Sequence, residues 1–162
     1  MIKIRPIQPD EIPVAKRLIY QVAHKVFQDT RSLEESIAFY ESLNLLHDID
    51  HLQECYFDND GIFLVMTDED RIIGTGAVLK MDHEVCELKR VWLLHEYHGQ
   101  GLGYRMMQEL LSFAREKGYV RMRLETDREA QSRAFEFYKR LGFYEIPRYS
   151  QHQDETAMEM VL

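Results

Sequence analysis

Between Gly61 and Leu94 the chain reads "GIFLVMT", "RIIGTGAVLK" and "VCELKRVWLL", separated only by "DED" and "MDHE". Strand-length apolar runs joined by connections this short leave no room for a crossover, so they predict a consecutive antiparallel meander. Directly behind it, "EYHGQGLGYRM" (96–106) sets three glycines at alternate positions where the strand pattern gives way to a helical one. A glycine-rich turn feeding a helix N-terminus offers unpaired N–H groups and the positive end of the helix dipole, with no Cβ in the way of an anion. The same glycines also suit a turn that binds nothing.

The flanking sequence completes one pattern. "IKIRPI" reads as a strand, and Pro9 and Asp10 start a helix with Ile12, Leu18, Ile19, Val22 and Phe27 as its apolar stripe. A second helix is predicted from Ser32 to Leu43, with Leu33, Ile37, Phe39, Tyr40 and Leu43 apolar, while Leu45 to Phe57 reads as a short helix or a loop. After the glycines, Leu102, Met106, Leu110 and Phe113 mark one helical face that ends near Gly118. "VRMRLET" is a strand. Asp127 caps a helix with Ala130, Ala134, Phe137 and Leu141 as its stripe and Gly142 as terminator, and "FYEI" and "AMEMVL" close the chain as strands. The order β-α-α-β-β-β-α-β-α-β-β, without repeats or linkers over 162 residues, predicts a single layered α/β domain spanning 1–162.

Composition excludes several classes. Two cysteines, Cys55 and Cys86, are too few for a disulfide framework. The seven histidines lack ligand spacing, and His47 and His51, four apart, have no third partner in view, so no metal is expected. The first residues, "MIKIRPIQPDE", contain no apolar signal region, and no run approaches the roughly 20 apolar residues of a membrane span. A cytoplasmic chain without a membrane partner is expected. Net charge is −8, and its distribution is uneven. Nine acidic residues against Arg31 alone fall between Gln28 and Asp60, whereas twelve basic residues oppose eight acidic ones between Lys89 and Arg148. One half suits an anion and the other a cation, unless the acidic stretch is only a solvated helix face. No basic stripe with interleaved aromatics suggests nucleic acid.

The glycine loop fails two well-known fingerprints. A Walker A loop ends Gly-Lys-Ser/Thr, and here the chain reads Gly103-Tyr104-Arg105. A dinucleotide fingerprint starting at Gly101 needs glycine or alanine where Met106 stands. The stretch instead resembles the pyrophosphate loop of the GNAT N-acetyltransferase superfamily, Arg/Gln-x-x-Gly-x-Gly/Ala, read here as His98-Gly99-Gln100-Gly101-Leu102-Gly103. "CELKRVWLLHEYHGQGLGYRMMQELL" is similar to that family's fourth strand, loop and third helix. "AQSRAFEFYKRLGF" is similar to its fourth helix, with the Tyr-x-x-x-Gly-Phe ending, and the opening "IKIRPIQPDEIPVAKRLI" also fits.

The resemblance implies a mixed, mostly antiparallel central sheet with helices on both faces. It also implies acetyl-CoA as cosubstrate, bound where the fourth and fifth strands part. Val91, Trp92 and Leu93 would face the pantetheine, and His98, Gly99, Gln100, Gly101, Leu102, Gly103 and Tyr104 would cradle the pyrophosphate. Gln131 stands where relatives carry a pantetheine-contacting asparagine, with Ser132 as a substitute. Histidine replaces the usual Arg or Gln at position 98, which suggests cofactor affinity that depends on pH near neutrality. The amide of Leu93 would polarise the thioester.

The acceptor implied is a primary amine, a small cationic one given the acidic stretch, with a protein N-terminus or lysine as the alternative, acetylated by direct transfer in a ternary complex. Such an amine has a pKa of about 10.4, so at pH 7 roughly one molecule in 2,500 is neutral, a cost of about 4.6 kcal/mol that a base can offset. Glu87 occupies the catalytic glutamate position, and strand alternation would put it on one face with Lys89, Val91 and Leu93. The alternative for Glu87 is a structural ion pair. Tyr138 is the implied acid for the departing thiolate, or a core aromatic. A catalytically inactive acyl-CoA-binding module is the alternative for the whole chain, and a homodimer is a reasonable assembly.

Overall fold

The computed structural model describes residues 1–162. Seven strands, β1 (Ile2–Pro6), β2 (Ile62–Asp68), β3 (Arg71–Lys80), β4 (Val85–Leu93), β5 (Arg121–Thr126), β6 (Tyr144–Ile146) and β7 (Thr156–Val161), form one sheet in the order β1-β2-β3-β4-β5-β7-β6. Every pairing is antiparallel except that of β4 with β5. The helices are α1 (Ile12–Val26), α2 (Leu33–Ser42), the single turn α3 (His47–Asp50), α4 (Leu102–Glu116) and α5 (Ser132–Leu141). The ambiguous stretch before β2 therefore contains α3 and then a π-turn over Gln53–Phe57.

The helix ends carry local caps. The Ser32 hydroxyl accepts from Glu35 N–H at 3.2 Å, and Gly118 and Gly142 take positive φ values of 91° and 112° behind α4 and α5. Asp127 caps the turn before α5 rather than the helix itself, accepting from the N–H groups of Glu129 and Ala130. Two apolar stripes shift. In α5 the fully buried residues are Phe135 and Tyr138, while the expected Ala134, Phe137 and Leu141 pack partly buried against the same core. In α2 only Ser36 is buried, and Phe39 and Leu43 are exposed. That helix packs on α1 through a Tyr20–Tyr40 ring stack at 5.9 Å, so most of its apolar side never reaches the sheet. Phe27, at the end of α1, is also exposed.

Side chains assign the faces of the sheet. A Cβ placed on Gly76 of β3 would meet Met106 and Leu110 within about 3.0 Å, so even-numbered β3 residues face α4. Cys86, Leu88, Met122 and Leu124 point the same way into the core. The opposite face carries α1 over β3 and β4. Beyond β4 that face holds a polar row, with Glu87, Arg123, Glu159 and Tyr144 in cross-strand register. Arg123 and Tyr144 both donate to Glu159 at 2.8 Å.

Candidate active site

β4 and β5 pair only from Val85 to Glu87, opposite Arg121 to Arg123, although β4 runs on to Leu93 and β5 to Thr126. Past Glu87 the two strands diverge and leave a gap in the middle of the sheet. A β-bulge shapes its β4 wall. Thr75 pairs with Trp92 and Ala77 with Lys89, so Gly76 alone stands against both Arg90 and Val91. Arg90 takes a positive φ of 58°, and its carbonyl accepts from the Thr75 hydroxyl at 2.6 Å.

The extra residue corrects the predicted alternation. Residues paired across a ladder share a face, so Trp92, opposite Thr75, joins Glu87 and Lys89. Leu93, opposite Gly74, instead lies on the Leu88 face, and Val91 is displaced within the bulge. The bulge also sorts the backbone groups. Leu94 N–H donates to Ile73 C=O at 2.9 Å, which makes Thr75–Trp92 a hydrogen-bonded pair and Gly74–Leu93 a non-bonded one. The N–H and C=O of Trp92 therefore serve β3, and of the three expected residues only Val91 and Leu93 turn their main chain toward the gap.

A buried ion pair braces the bulge. Arg90 donates to Asp48 of α3 through Nε at 3.1 Å and Nη2 at 2.7 Å, and to Leu45 C=O at 3.2 Å, while the Tyr56 hydroxyl adds a bond to the same carboxylate. Burial alone would raise the Asp48 carboxyl, but Arg90 and Tyr56 outweigh it and hold it below its ordinary value.

At the mouth of the gap, Gly99 and Gly101 adopt φ of 79° and 76°, a region L-residues with a Cβ rarely enter. The first main-chain donor of α4 is Arg105 N–H, to Gly101 C=O at 3.1 Å; none of the N–H groups from Gly99 through Tyr104 finds an acceptor in the chain. A Cβ at Gly99 or Gly101 would meet nothing within 4 Å, so the surface over this loop is open. His98 does not present its ring as a free ligand: Nε2 lies 3.0 Å from Leu93 C=O, and Nδ1 is sealed without a partner. Burial first, then the charges of Arg133, His95 and Lys25, push its pKa below the ordinary value, and the bond to Leu93 opposes them only partly. The direction of this shift runs against the pH dependence expected of His98 near neutrality. Lys25 and Arg133, from α1 and α5, have no carboxylate within 4.0 Å and add positive potential near the loop. Sequence reading missed both, because each falls outside the motif.

Inside the gap, Glu87 Oε2 accepts from the Tyr149 hydroxyl at 2.6 Å and Oε1 lies 3.6 Å from Lys89 Nζ. Tyr149 comes from the β6–β7 connection and its ring stands over Arg123. Burial, reinforced by Glu87, raises its phenol, so it stays protonated and donates. The same connection ties Ser150 to Glu125. Half-buried Glu155 has its carboxyl raised by burial and by the charges of Glu125, Asp127 and Glu87. Tyr138 packs edge-on to Phe143 at 5.7 Å, and burial raises its pKa. Its hydroxyl makes no bond within the chain yet is not sealed from solvent, which leaves it available to a ligand. The Gln131 carbonyl is taken up by Thr126 and Asp127 N–H at the end of β5, leaving its NH2 free. Burial pushes the Cys86 thiol up to about 12, so it is no nucleophile.

Most of the acidic stretch is paired within the fold. Asp29, Glu34, Glu41, Asp48, Asp50 and Asp60 each have a Lys or Arg within 4.0 Å.

Residues 28–143 match the acetyltransferase (GNAT) family model. The chain belongs to that family. Among relatives of known sequence, this GNAT protein is 31% identical over 110 residues to human N-acetyltransferase 8B, covering 64% of the chain and 48% of the relative. It is 28% identical over 101 residues to YjgM, an uncharacterized N-acetyltransferase of Escherichia coli K12, covering 60% of each. The aligned region thus spans about half the length of the human relative. Among solved structures, an acetyltransferase from Streptococcus agalactiae superposes with a TM-score of 0.82 at 20% identity, over 99% of this chain and 98% of that one. The PaiA N-acetyltransferase of Thermoplasma acidophilum, in complex with coenzyme A, gives 0.80 at 22% identity over 100% and 99%. No helix in the chain is long and apolar enough to cross a membrane.

Proposed function

We propose that this GNAT protein transfers an acetyl group from acetyl-CoA to a primary amine, directly, in a ternary complex. The observation that carries the reading is the run of unbonded N–H groups from Gly99 to Tyr104 at the mouth of the β4–β5 gap. Left bare, these donors gain most from an anion of pyrophosphate shape, and the positive end of α4 and the unpaired Lys25 and Arg133 favour the same charge.

From that anchor the pantetheine follows the gap along Val91 and Leu93. The Leu93 N–H is positioned to stabilise negative charge that develops on the thioester oxygen, where a fixed donor acts without reorganisation. Glu87 takes a proton from the acceptor ammonium, and the neutral amine so formed attacks the thioester carbonyl. Tyr138 stabilises the departing thiolate by hydrogen bonding: with a raised phenol, full proton transfer to a thiol of pKa about 8.5 is uphill by more than about 2 kcal/mol.

The acceptor we favour is a small cationic amine. Support comes from the carboxylates Glu87, Glu125 and Glu155: the Glu155 carboxyl is raised first by burial and then by the charges of Glu125, Asp127 and Glu87, and an ammonium would offset that charge. The 28–60 stretch no longer contributes to this argument.

The test is free-thiol release from acetyl-CoA across a panel of amines, beside calorimetric CoA binding. Turnover with one amine class, reduced about 10²- to 10³-fold by Glu87→Gln with CoA affinity kept, is the expected result. CoA binding with no turnover on any amine favours the inactive binding module instead, and no CoA binding overturns the whole reading.

A further inference from the structure

The one sealed side-chain polar atom without a partner in the protein is His98 Nδ1. The other ring nitrogen lies 3.0 Å from Leu93 C=O, an acceptor only, so it must carry the hydrogen. Protonating Nδ1 as well would bury an N–H with no acceptor, a cost of about 1–3 kcal/mol or more for a charged group. The charged groups around the ring reinforce this. Lys25 from α1, His95 from the turn before the loop and Arg133 from α5 all disfavour a second proton.

The acceptor of that bond is significant. The peptide after Leu93 is held on one side by Leu94 N–H to Ile73 C=O at 2.9 Å, and on the other by His98. The peptide before Leu93 is held by the Trp92–Thr75 pairing. Without His98, the end of β4 is fastened only on its β3 side, and the edge that lines the gap is loose.

We propose that His98 is a positioning residue: as a neutral imidazole it donates Nε2–H to Leu93 C=O, holds the gap-facing edge at the end of β4, and ties the start of the pyrophosphate loop to it. It is not a proton-dependent ligand of the pyrophosphate. The kinetic part of this inference rests on the proposed acetyl transfer; the tautomer and the tie do not.

Three measurements test it on the intact protein. Long-range proton–nitrogen NMR of the His98 ring should show the neutral Nε2–H form from pH 6 to 8, whether or not any amine is turned over. A charged ring at pH 7, or the opposite tautomer, overturns the proposal. His98→Ala should lower kcat about 10- to 100-fold, the scale of a misplacement near 1 Å, with CoA Kd changed less than about threefold. His98→Gln, whose amide donor can reach the same carbonyl, should recover kcat to within about threefold of the parent. The CoA Kd of parent and His98→Gln should follow the same pH profile. A raised CoA Kd at unchanged kcat in His98→Ala, or a parent Kd that tightens below pH 7 where the glutamine variant does not, makes His98 a phosphate ligand and overturns the proposal. If the parent itself binds no CoA, the functional reading fails separately, and the NMR result still decides the tautomer.

Discussion

The stretch from Gln28 to Asp60 and the stretch from Leu93 to Tyr104 are the two most distinctive on paper, one for its charge and one for its glycines. In the folded chain they behave in opposite ways. The acidic stretch meets its countercharges within the fold, through Lys16, Arg17, Arg31, Lys80 and Arg90. In the glycine stretch the main-chain donors from Gly99 to Tyr104 find no acceptor in the chain, and Lys25 and Arg133 nearby stand unpaired. Charge that is counted in a sequence becomes a binding determinant only when the fold withholds its partner. Six of the nine acids of 28–60 are paired with a Lys or Arg of the chain, whereas the main-chain donors from Gly99 to Tyr104 have no partner in it.

That contrast predicts a double dissociation. Asp48→Asn strands the Arg90 guanidinium in the bulge and should lower unfolding free energy by about 3–5 kcal/mol, the scale for breaking a buried pair, measurable by denaturant titration. CoA binding by the fraction that remains folded should be nearly intact. Gly101→Val should do the reverse. A β-branched residue at φ 76° is strained and its side chain crowds the anion cradle, so CoA Kd should rise about 100-fold, or about 2.7 kcal/mol, by calorimetry. If Gly101→Val binds CoA normally, the free N–H groups are incidental and the comparison collapses.

Acid titration sharpens the same point. The Asp48 pKa is depressed in the fold, so its contribution is complete above the ordinary carboxylate value near 3.9 and is lost as pH falls through the folded value. Asp48→Asn should therefore flatten the acid limb of the stability profile below about pH 4 and leave the neutral region parallel to the parent. The smallest effect is expected at Glu34, whose pair with Arg17 is exposed on both sides. Glu34→Gln should change stability by less than about 1 kcal/mol and acceptor KM by less than about twofold. A large rise in KM would return the acidic stretch to the acceptor site.

Much of this was legible from residues alone. The element order, the meander and the glycine loop rest on local signals, namely alternation, capping and absent side chains, and all reappear in the fold. The face of Leu93 was not legible. An arginine in a left-handed conformation has no sequence signature, and one inserted residue reverses every side chain beyond it. The brace on that bulge joins Asp48 to Arg90 across 42 positions, and the Tyr149–Glu87 contact spans 62, one end lying in a connection without periodicity. Nor could the pattern of α2 tell that its apolar residues would face α1 and solvent. Local physics placed the elements; partnerships between distant residues decided which groups stayed free.

The brief pairing of β4 with β5 has a mechanical meaning. Only Val85–Glu87 and Arg121–Arg123 join the β1–β4 sheet to the β5–β7–β6 sheet, so two plates share a short seam. A ligand lying along such a seam becomes a further fastener between the plates. Coenzyme A should therefore slow deuterium uptake on both lips, at Val91–Leu93 and at Leu124–Thr126, while the far edges at β1 and β6 exchange as before.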